Sequence, residues 1–278
     1  MSIKPCMIKR MLTAVVLHLR PVAEVTLPRS HGSFVYNAVK DILIREAPEL
    51  GDALYKEEER KPFTCSPLGG TEEGDRQSWL LKPDKIYTLR LTGLTSEISQ
   101  HLLSLWPEIH GIRIQNAVFS VEGLSTTAEE HPEAGQTTYK ELLARWERAE
   151  PPRTLTFHFL TPTTFKVGAF EEPFPLPRWV FGSLLSAWNA FSPSPFFDIR
   201  EVLEAVIVLR NWKGETKLVE LGGYSAAGFV GKFTYRLMRA SPVIARICGL
   251  LAEFSFYAGV GWQTTHGLGQ VRPQFPRR

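Results

Sequence analysis

The sequence predicts an α+β protein built from two tandem ferredoxin-like (RRM-like) domains, each with the order β-α-β-β-α-β. Three observations lead there. The chain has 278 residues, more than one core usually organises and enough for two units of about 100–150 residues each. Segments of strand period and of helical period alternate through both halves. A polar stretch over 125–150 ends in Ala-Glu-Pro-Pro, a composition that breaks a chain into units. The predicted domains are residues 1–150 and 151–278, with the boundary between Glu150 and Arg153.

In the first half, the opening ten residues form a basic overhang before a strand at 11–19. Pro28 opens a turn and Ser30 is placed to cap a helix from about Gly32 to Glu46, whose apolar face is Phe34, Val35, Ala38, Val39, Ile42 and Leu43. Pro48 interrupts it, and a second short helix, 49–58, ends in the charged run from Lys56 to Lys61. Strands are expected at 62–66, 78–81 and 86–92. A helix capped by Thr95 or Ser96 covers 96–105, Pro107 ends it, and 111–122 reads as one strand.

The second half repeats the pattern. Leu155, Phe157 and Phe159 alternate with polar neighbours in a strand over 153–160, and a Pro-rich stretch leads into a helix at 178–191. Lys213-Gly214 suggests a hairpin between strands near 204–212 and 216–222, followed by a strand at 228–238. Ser241-Pro242 starts a helix over 242–257, with serine as cap and proline at the first position. A Gly-rich loop, 258–269, precedes a last strand at 269–273.

Composition excludes several classes. A hydrophobic fraction of 44% and a net charge of +3 rule out a disordered or fibrous chain. Cys6, Cys65 and Cys248 are far apart and form no CxxC pair, which argues against a disulfide framework or a cysteine zinc site and for the cytoplasm. The apolar run 11–19 is too short and too interrupted for a secretory signal, and 242–262 contains Arg246 and Glu253, so no membrane span is expected. The charge is unevenly spread: residues 1–150 hold 18 basic and 21 acidic side chains, residues 151–278 hold 14 and 8. A basic second half suits a polyanion partner, while chance asymmetry between domains is the plain alternative.

The segment Gly259-Val-Gly-Trp-Gln-Thr-Thr-His-Gly-Leu-Gly269 has four glycines in eleven residues. Gly259, Gly261, Gly267 and Gly269 permit positive φ and close backbone approach, and Thr264, Thr265 and His266 add polar groups that could meet phosphate. The segment has no Gly-Lys-Ser/Thr, and it follows a helix and enters a strand, so it is neither a Walker loop nor a dinucleotide fingerprint. His31 stands before the first helix among Arg29, Ser30 and Ser33, which places a titratable base with a cation and hydroxyls; a solvent-facing loop histidine fits the sequence equally well. Tyr36, Tyr55 and Lys56 are by themselves ordinary packing and surface residues. Lys232, Arg236 and Arg239 follow one strand with Phe233 and Tyr235 between them, a pattern that suits RNA through phosphate contacts and base stacking. Such a strand also fits a solvated face over a core. His18, His101, His110, His131 and His158 lack metal-ligand spacing, so no metal and no cofactor are expected.

Taken together, the C-terminal Gly-rich segment, the stretch from Leu27-Pro-Arg-Ser-His31 through Tyr36-Asn-Ala-Val39, and Lys61-Pro-Phe-Thr64 resemble a CRISPR RNA-processing endoribonuclease of the RAMP superfamily over essentially the whole chain. The resemblance implies metal-independent cleavage of precursor CRISPR RNA within its repeats, through attack by the 2′-OH on the adjacent phosphate. Its partners would be repeat RNA and subunits of a CRISPR effector complex, and the protein would be a monomer or homodimer. Family members place a catalytic histidine at the start of the first helix, where His31 matches, or near the end of that helical region, where this chain has Tyr55. Two assignments follow: His31 as base or acid with Arg29 or Lys56 on the phosphate, or catalysis by positioning with Tyr36 or Tyr55 and Lys56. The alternative function is an RNA-binding RAMP subunit that does not cleave.

Overall fold

The computed structural model describes residues 11–50, 60–221 and 223–275. The expected helix at 49–58 falls almost entirely outside them, and Tyr55 and Lys56 with it; Pro48–Leu50 form a single 3-10 turn.

The first half contains β1 (Met11–Pro21), β2 (Val25–Pro28), α1 (Gly32–Glu46), β3 (Phe63–Cys65), β4 (Ser78–Leu81), β5 (Tyr87–Gly93), α2 (Ser96–Ser104), β6 (Gly111–Ile114), β7 (Ala117–Ser125), β8 (Gly135–Thr138) and α3 (Tyr139–Arg148). Its main sheet runs β3-β5-β1-β7-β6, with β8 also pairing with β1, while β2 and β4 form a small sheet of their own. The second half contains β9 (Thr154–Thr163), β10 (Phe165–Val167), β11 (Phe170–Glu172), α4 (Pro177–Phe191), α5 (Arg200–Val206), β12 (Ile207–Glu220), β13 (Ser225–Leu237), α6 (Pro242–Ala258) and β14 (Val271–Gln274). Its sheet runs β12-β13-β9-β14. In both sheets the first strand of the unit lies in the interior beside the third and the fourth, the ferredoxin-like order.

Local chemistry explains the helix starts. Thr95 accepts the Ile98 N–H ahead of α2, and Ser241 accepts the Ile244 N–H ahead of α6, where Pro242 occupies the first turn. Thr138 and Glu141 form a complete capping box at the start of α3.

Three sequence expectations need correction. Residues 111–122 form a hairpin, not one strand, because Gln115 takes φ 56 and reverses the chain before Ala117. The Lys213-Gly214 hairpin does not exist: β12 runs on through both residues, Lys213 pairs with Lys232, and the ladder to β13 is closed instead by the Leu221 N–H to Tyr224 carbonyl bond. Gly214 is needed there because it packs directly against the opposing strand, where a Cβ would lie 2.4 Å from the Val230 carbonyl oxygen. The stretch 125–150 is not merely polar connection; Tyr139, Leu142 and Trp146 form a buried face on α3.

The two cores share a wall. Val15, Leu17 and Leu19 of β1 point into the core under α1 and α2, whereas Leu12 and Ala14 of the same strand join the core of the second sheet, together with α3 and α6. Strand alternation thus gives each core one face of β1. The C-terminal end of α6 is tied to β5: Arg90 donates to the Phe256 carbonyl at 2.5 Å and Thr92 Oγ1 to the Tyr257 carbonyl at 2.7 Å. A cation at a helix C-terminus also favours the helix dipole. No helix among the described residues is long and apolar enough to cross a membrane.

Candidate functional site

The two segments singled out in the sequence meet in space. The Gly-rich loop descends from α6 and lies against the start of α1. At Gly32 a Cβ would stand 1.9 Å from the His266 carbonyl oxygen, so the contact requires glycine. The Cys65 N–H donates to the Thr264 carbonyl at 3.2 Å, and Gln270 Nε2 donates to the Cys65 carbonyl at 3.3 Å. Gly259, Gly261, Gly267 and Gly269 have φ of 63, 91, 88 and 69°, the left-handed region in which glycine carries no steric cost. The N–H groups of Gly259, Gly261 and Gly269 donate to Ser255, Ser183 and Pro162 respectively. These three glycines therefore shape the loop and do not offer their own N–H groups to a phosphate.

His31 is 1% exposed, which corrects the picture of a solvent-facing loop histidine. Nδ1 lies 2.9 Å from the Pro28 carbonyl, and Nε2 accepts the Leu68 N–H at 2.8 Å. Those partners fix the neutral tautomer with the proton on Nδ1. Burial pushes its pKa below the ordinary value, against the opposing effect of bonds to the Pro28 and Arg29 carbonyls. His31 thus ties the start of α1 to the segment after β3, and no ring nitrogen is left over for a ligand.

Half-buried Tyr36, one helical turn beyond Ser33, stacks on His266 with ring centroids 4.3 Å apart. Lys40, the next turn along, stands 5.4 Å from the Tyr36 ring. Burial, with a smaller effect from the nearby Lys40 charge, lowers the His266 pKa to about 4. Its Nδ1 lies 2.9 Å from buried Thr265 Oγ1. Lys40 was not singled out from sequence, although its spacing of four from Tyr36 places both on one helix face.

Arg29, Ser33 and Arg76 line a groove of about 980 Å³, closed on the other side by Asn116 and, from the β12–β13 hairpin, Leu218 and Ser225. Arg29 lies 3.8 Å over the Trp79 ring and donates from Nε to the Asp75 carbonyl at 2.7 Å. The Glu220 N–H donates to Ser30 Oγ at 3.0 Å, so Ser30 links the hairpin to the first domain and does not cap α1.

Lys232, Arg236 and Arg239 are exposed. The interleaved Phe233 and Tyr235 are 4% and 0% exposed, which corrects the expectation that they stack on bases; both point into the core. The register adds residues the sequence did not reveal. Lys213, Lys232, His158 and Arg272 stand side by side across β12, β13, β9 and β14. Asn211, Thr234, Thr156 and Gln274 form the neighbouring polar row. Adjacent like charges across a sheet are unfavourable by themselves and suit a surface that meets a polyanion.

Two ferredoxin-like domains, a Gly-rich loop wedged against the first helix and a basic open sheet make a double ferredoxin-like protein with one surface suited to a polyanion. A family model described as CRISPR-associated endoribonuclease Cas6 matches residues 157–271. Among solved structures, a product complex of Cas6 (TTHB231), a Thermus thermophilus protein, is 30% identical, with a TM-score of 0.79 over 95% of this chain and all of that one. A product complex of Cas6 (TTHA0078) is 28% identical, with a TM-score of 0.75 over 95% of this chain and all of that one. A Cas6-related protein from Pyrococcus furiosus, 14% identical with a TM-score of 0.65 over 96% of this chain and all of that one, shares the fold. A comparison with curated protein sequences finds no significant match. The chain belongs to the Cas6 family of CRISPR-associated endoribonucleases.

Proposed function

We propose that this protein cleaves precursor CRISPR RNA within its repeats, without a metal. The observation that carries the reading is the seating of the Gly-rich loop on α1, which brings His266 onto Tyr36 beside Lys40. The relatives' product complexes are of the same family, and repeat RNA is the partner inferred for this chain. In the proposed reaction the 2′-OH loses its proton to a base as the O2′–P bond forms, and the P–O5′ bond breaks as O5′ takes a proton from an acid. The products are a 2′,3′-cyclic phosphate and a 5′-OH. Positive charge beside the phosphate lowers the barrier by meeting the charge that develops there.

Of the two assignments, the one based on positioning fits better. A histidine with both nitrogens bonded inside the protein is a positioning residue for α1. His266, neutral at ordinary pH, suits stacking on Tyr36 and accepting a hydrogen bond more than proton transfer near pH 7. Tyr36 with Lys40 and Arg29, joined by Tyr55 and Lys56 from outside the described residues, are then the groups proposed to face the scissile phosphate. Exposed Lys213 and Lys232, with Arg236 and Arg239, are proposed to hold the RNA, beside half-buried Arg272, which pairs with Glu133 at 2.7 Å.

The test is single-turnover cleavage of repeat RNA in EDTA. Wild type should cleave and leave a cyclic phosphate that resists phosphatase until the ring is opened. Binding without cleavage would instead make the chain an RNA-binding subunit. Tyr36→Phe keeps the ring and removes the hydroxyl, so it should slow the bound-state rate, by less than the roughly 10²–10⁴-fold that loss of an acid or base typically costs. His31→Gln should lose stability while retaining more of the rate. A rate loss for His31→Gln as large as that for Tyr36→Phe, in folded protein, would restore His31 as the catalytic group.

A further inference from the structure

The Gly-rich loop has a second lined surface, away from α1. At its Gly261-Trp262 end a pocket of about 270 Å³ opens between β10 and α4, and Lys166, Arg178, Arg200, Trp179, Trp262 and Ser183 line it. Arg60 adds another cation, and no carboxylate lines the pocket among the described residues. Lys166, Arg178 and Arg200 each have an acidic neighbour outside the lining: Glu171 at 2.8 Å, Glu204 at 3.9 Å and Asp198 at 2.5 Å. Such exposed pairs contribute little and exchange readily for a better anion.

Each indole has a cation near its ring and an aromatic neighbour, Phe165 at 6.5 Å from Trp179 and Tyr224 at 6.4 Å from Trp262. Lys166 Nζ lies 5.2 Å from the Trp262 ring and the Arg178 guanidinium 4.6 Å from the Trp179 ring. Trp179 Nε1 is buried and has no acceptor among the described residues. Gly182 keeps the α4 face open, with nothing within 4 Å of where a Cβ would stand. Cations without carboxylates select phosphate, and indoles beside them select a base. The pocket is below the roughly 300–1,000 Å³ that encloses a drug-sized ligand, which excludes a duplex and leaves room for one base and its phosphate.

We infer that this pocket holds a single unpaired nucleotide of the repeat RNA, stacked against Trp262 with its phosphate on Arg178 and Lys166. The inference rests on the proposed RNA-cleaving function, because the same loop that seats His266 on Tyr36 carries Trp262 four residues before His266. One strand of RNA can therefore lie along the loop from the scissile phosphate to this pocket, and the pocket fixes where the RNA sits without entering the chemistry.

The experiment scans repeat RNA with one abasic nucleotide at a time, measuring affinity and single-turnover cleavage for wild type, Trp262→Ala, Trp262→Phe and Arg178→Glu. Trp262→Ala should bind unmodified RNA roughly tenfold more weakly, the order expected for one stacked base. At one position, or two adjacent ones, the abasic nucleotide should weaken wild type by a similar factor and Trp262→Ala no further. Trp262→Phe should restore affinity and that positional penalty, which separates stacking from a loop that has lost its packing. Arg178→Glu should reduce the salt slope by about 1. At saturating RNA all three variants should cleave at the wild-type rate. If wild type cleaves but the Trp262→Ala penalty adds to the abasic penalty at every position, or Trp262→Ala binds like wild type, the pocket holds no nucleotide. If 5′-AMP alone fills the pocket and repeat RNA does not displace it, the ligand is a free nucleotide and the inference is overturned. If wild type neither binds nor cleaves repeat RNA, the functional reading itself fails and takes this inference with it.

Discussion

The two sheets share a strand order but not an environment. In the first, β1 and β5 are buried along nearly their whole length, because α1 and α2 cover one face and α6 with the second core covers the other. In the second, β9 and β13 alternate between buried and accessible positions, and most of β12 is exposed. The same topology therefore serves as a partition in one domain and as an open surface in the other. The basic side chains gather on the open one, as the charge split between the halves of the sequence anticipated. Burial leaves the first sheet little room for free charge, so its single buried guanidinium, Arg90, is consumed in joining the domains.

That difference predicts the largest effect. Arg90 is 7% exposed, and burial pushes its pKa down to about 10, leaving it charged at neutral pH. It donates to the Phe256 and Glu133 carbonyls and to Gln270 Oε1. Arg90→Met keeps the apolar bulk and strands one acceptor on buried Gln270 and two on half-buried Glu133 and Phe256. A buried acceptor left unpaired costs about 1–3 kcal/mol, and the half-buried ones less because water reaches them. Urea unfolding should show a loss of about 1–3 kcal/mol or more. A loss below 0.5 kcal/mol, the range usual for surface sites, would mean that the first sheet is not the partition described.

The converse change is on the open sheet. Replacing Lys232, Arg236 and Arg239 together by alanine should leave unfolding within roughly 0.5 kcal/mol per site of wild type. Repeat-RNA affinity should fall, and the slope of log affinity against log salt should flatten by about 2–3 if each meets one phosphate. Cleavage of RNA bound at saturation should be little changed, because Lys232 and Arg236 lie on β13 and Arg239 just beyond its end, and none is among the ring contacts of Tyr36. An unchanged salt slope would remove this face from the RNA path.

Much of this architecture was legible in the residues. The α1 span, the Ser241 cap, the Gly-rich loop and the ferredoxin-like order all come from local signals: periodicity, capping chemistry and glycine. What was missed depended on pairing. Placing the hairpin at Lys213-Gly214 hid the row of Lys213, Lys232, His158 and Arg272, since a row exists only in the true register. His31 was correctly located yet its burial was invisible, because the Leu68 N–H that occupies Nε2 is 37 residues away. The helix at α3 was a different kind of miss: Thr138 and Glu141 spell a capping box, and Tyr139, Leu142 and Trp146 share a face, but high polarity drew attention to the boundary instead.

The smallest predicted effect tests the seam where the two regions meet. His31 and His266 both have pKa values below the ordinary histidine value, the latter about 4, and burial is the main cause for each. Between the unfolded value near 6.5 and the folded one, the unfolded chain binds more protons, so stability rises with pH there. The stabilisation from the neutral rings is complete above about pH 6.5 and is lost as pH falls toward 4. Half-buried His266 sits at the protein surface beside Lys40, so its share is modest and screened. His266→Gln removes that titration while keeping a hydrogen-bonding group beside Thr265. Its stability should therefore fall less steeply than that of wild type between pH 6.5 and 4, with the residual slope carried by His31 and the remaining titrating groups. Equal slopes for the two proteins would show that His266 is as easily protonated in the folded protein as in the unfolded chain, and the loop would then not be held against Tyr36 as tightly as the 4.3 Å stacking implies.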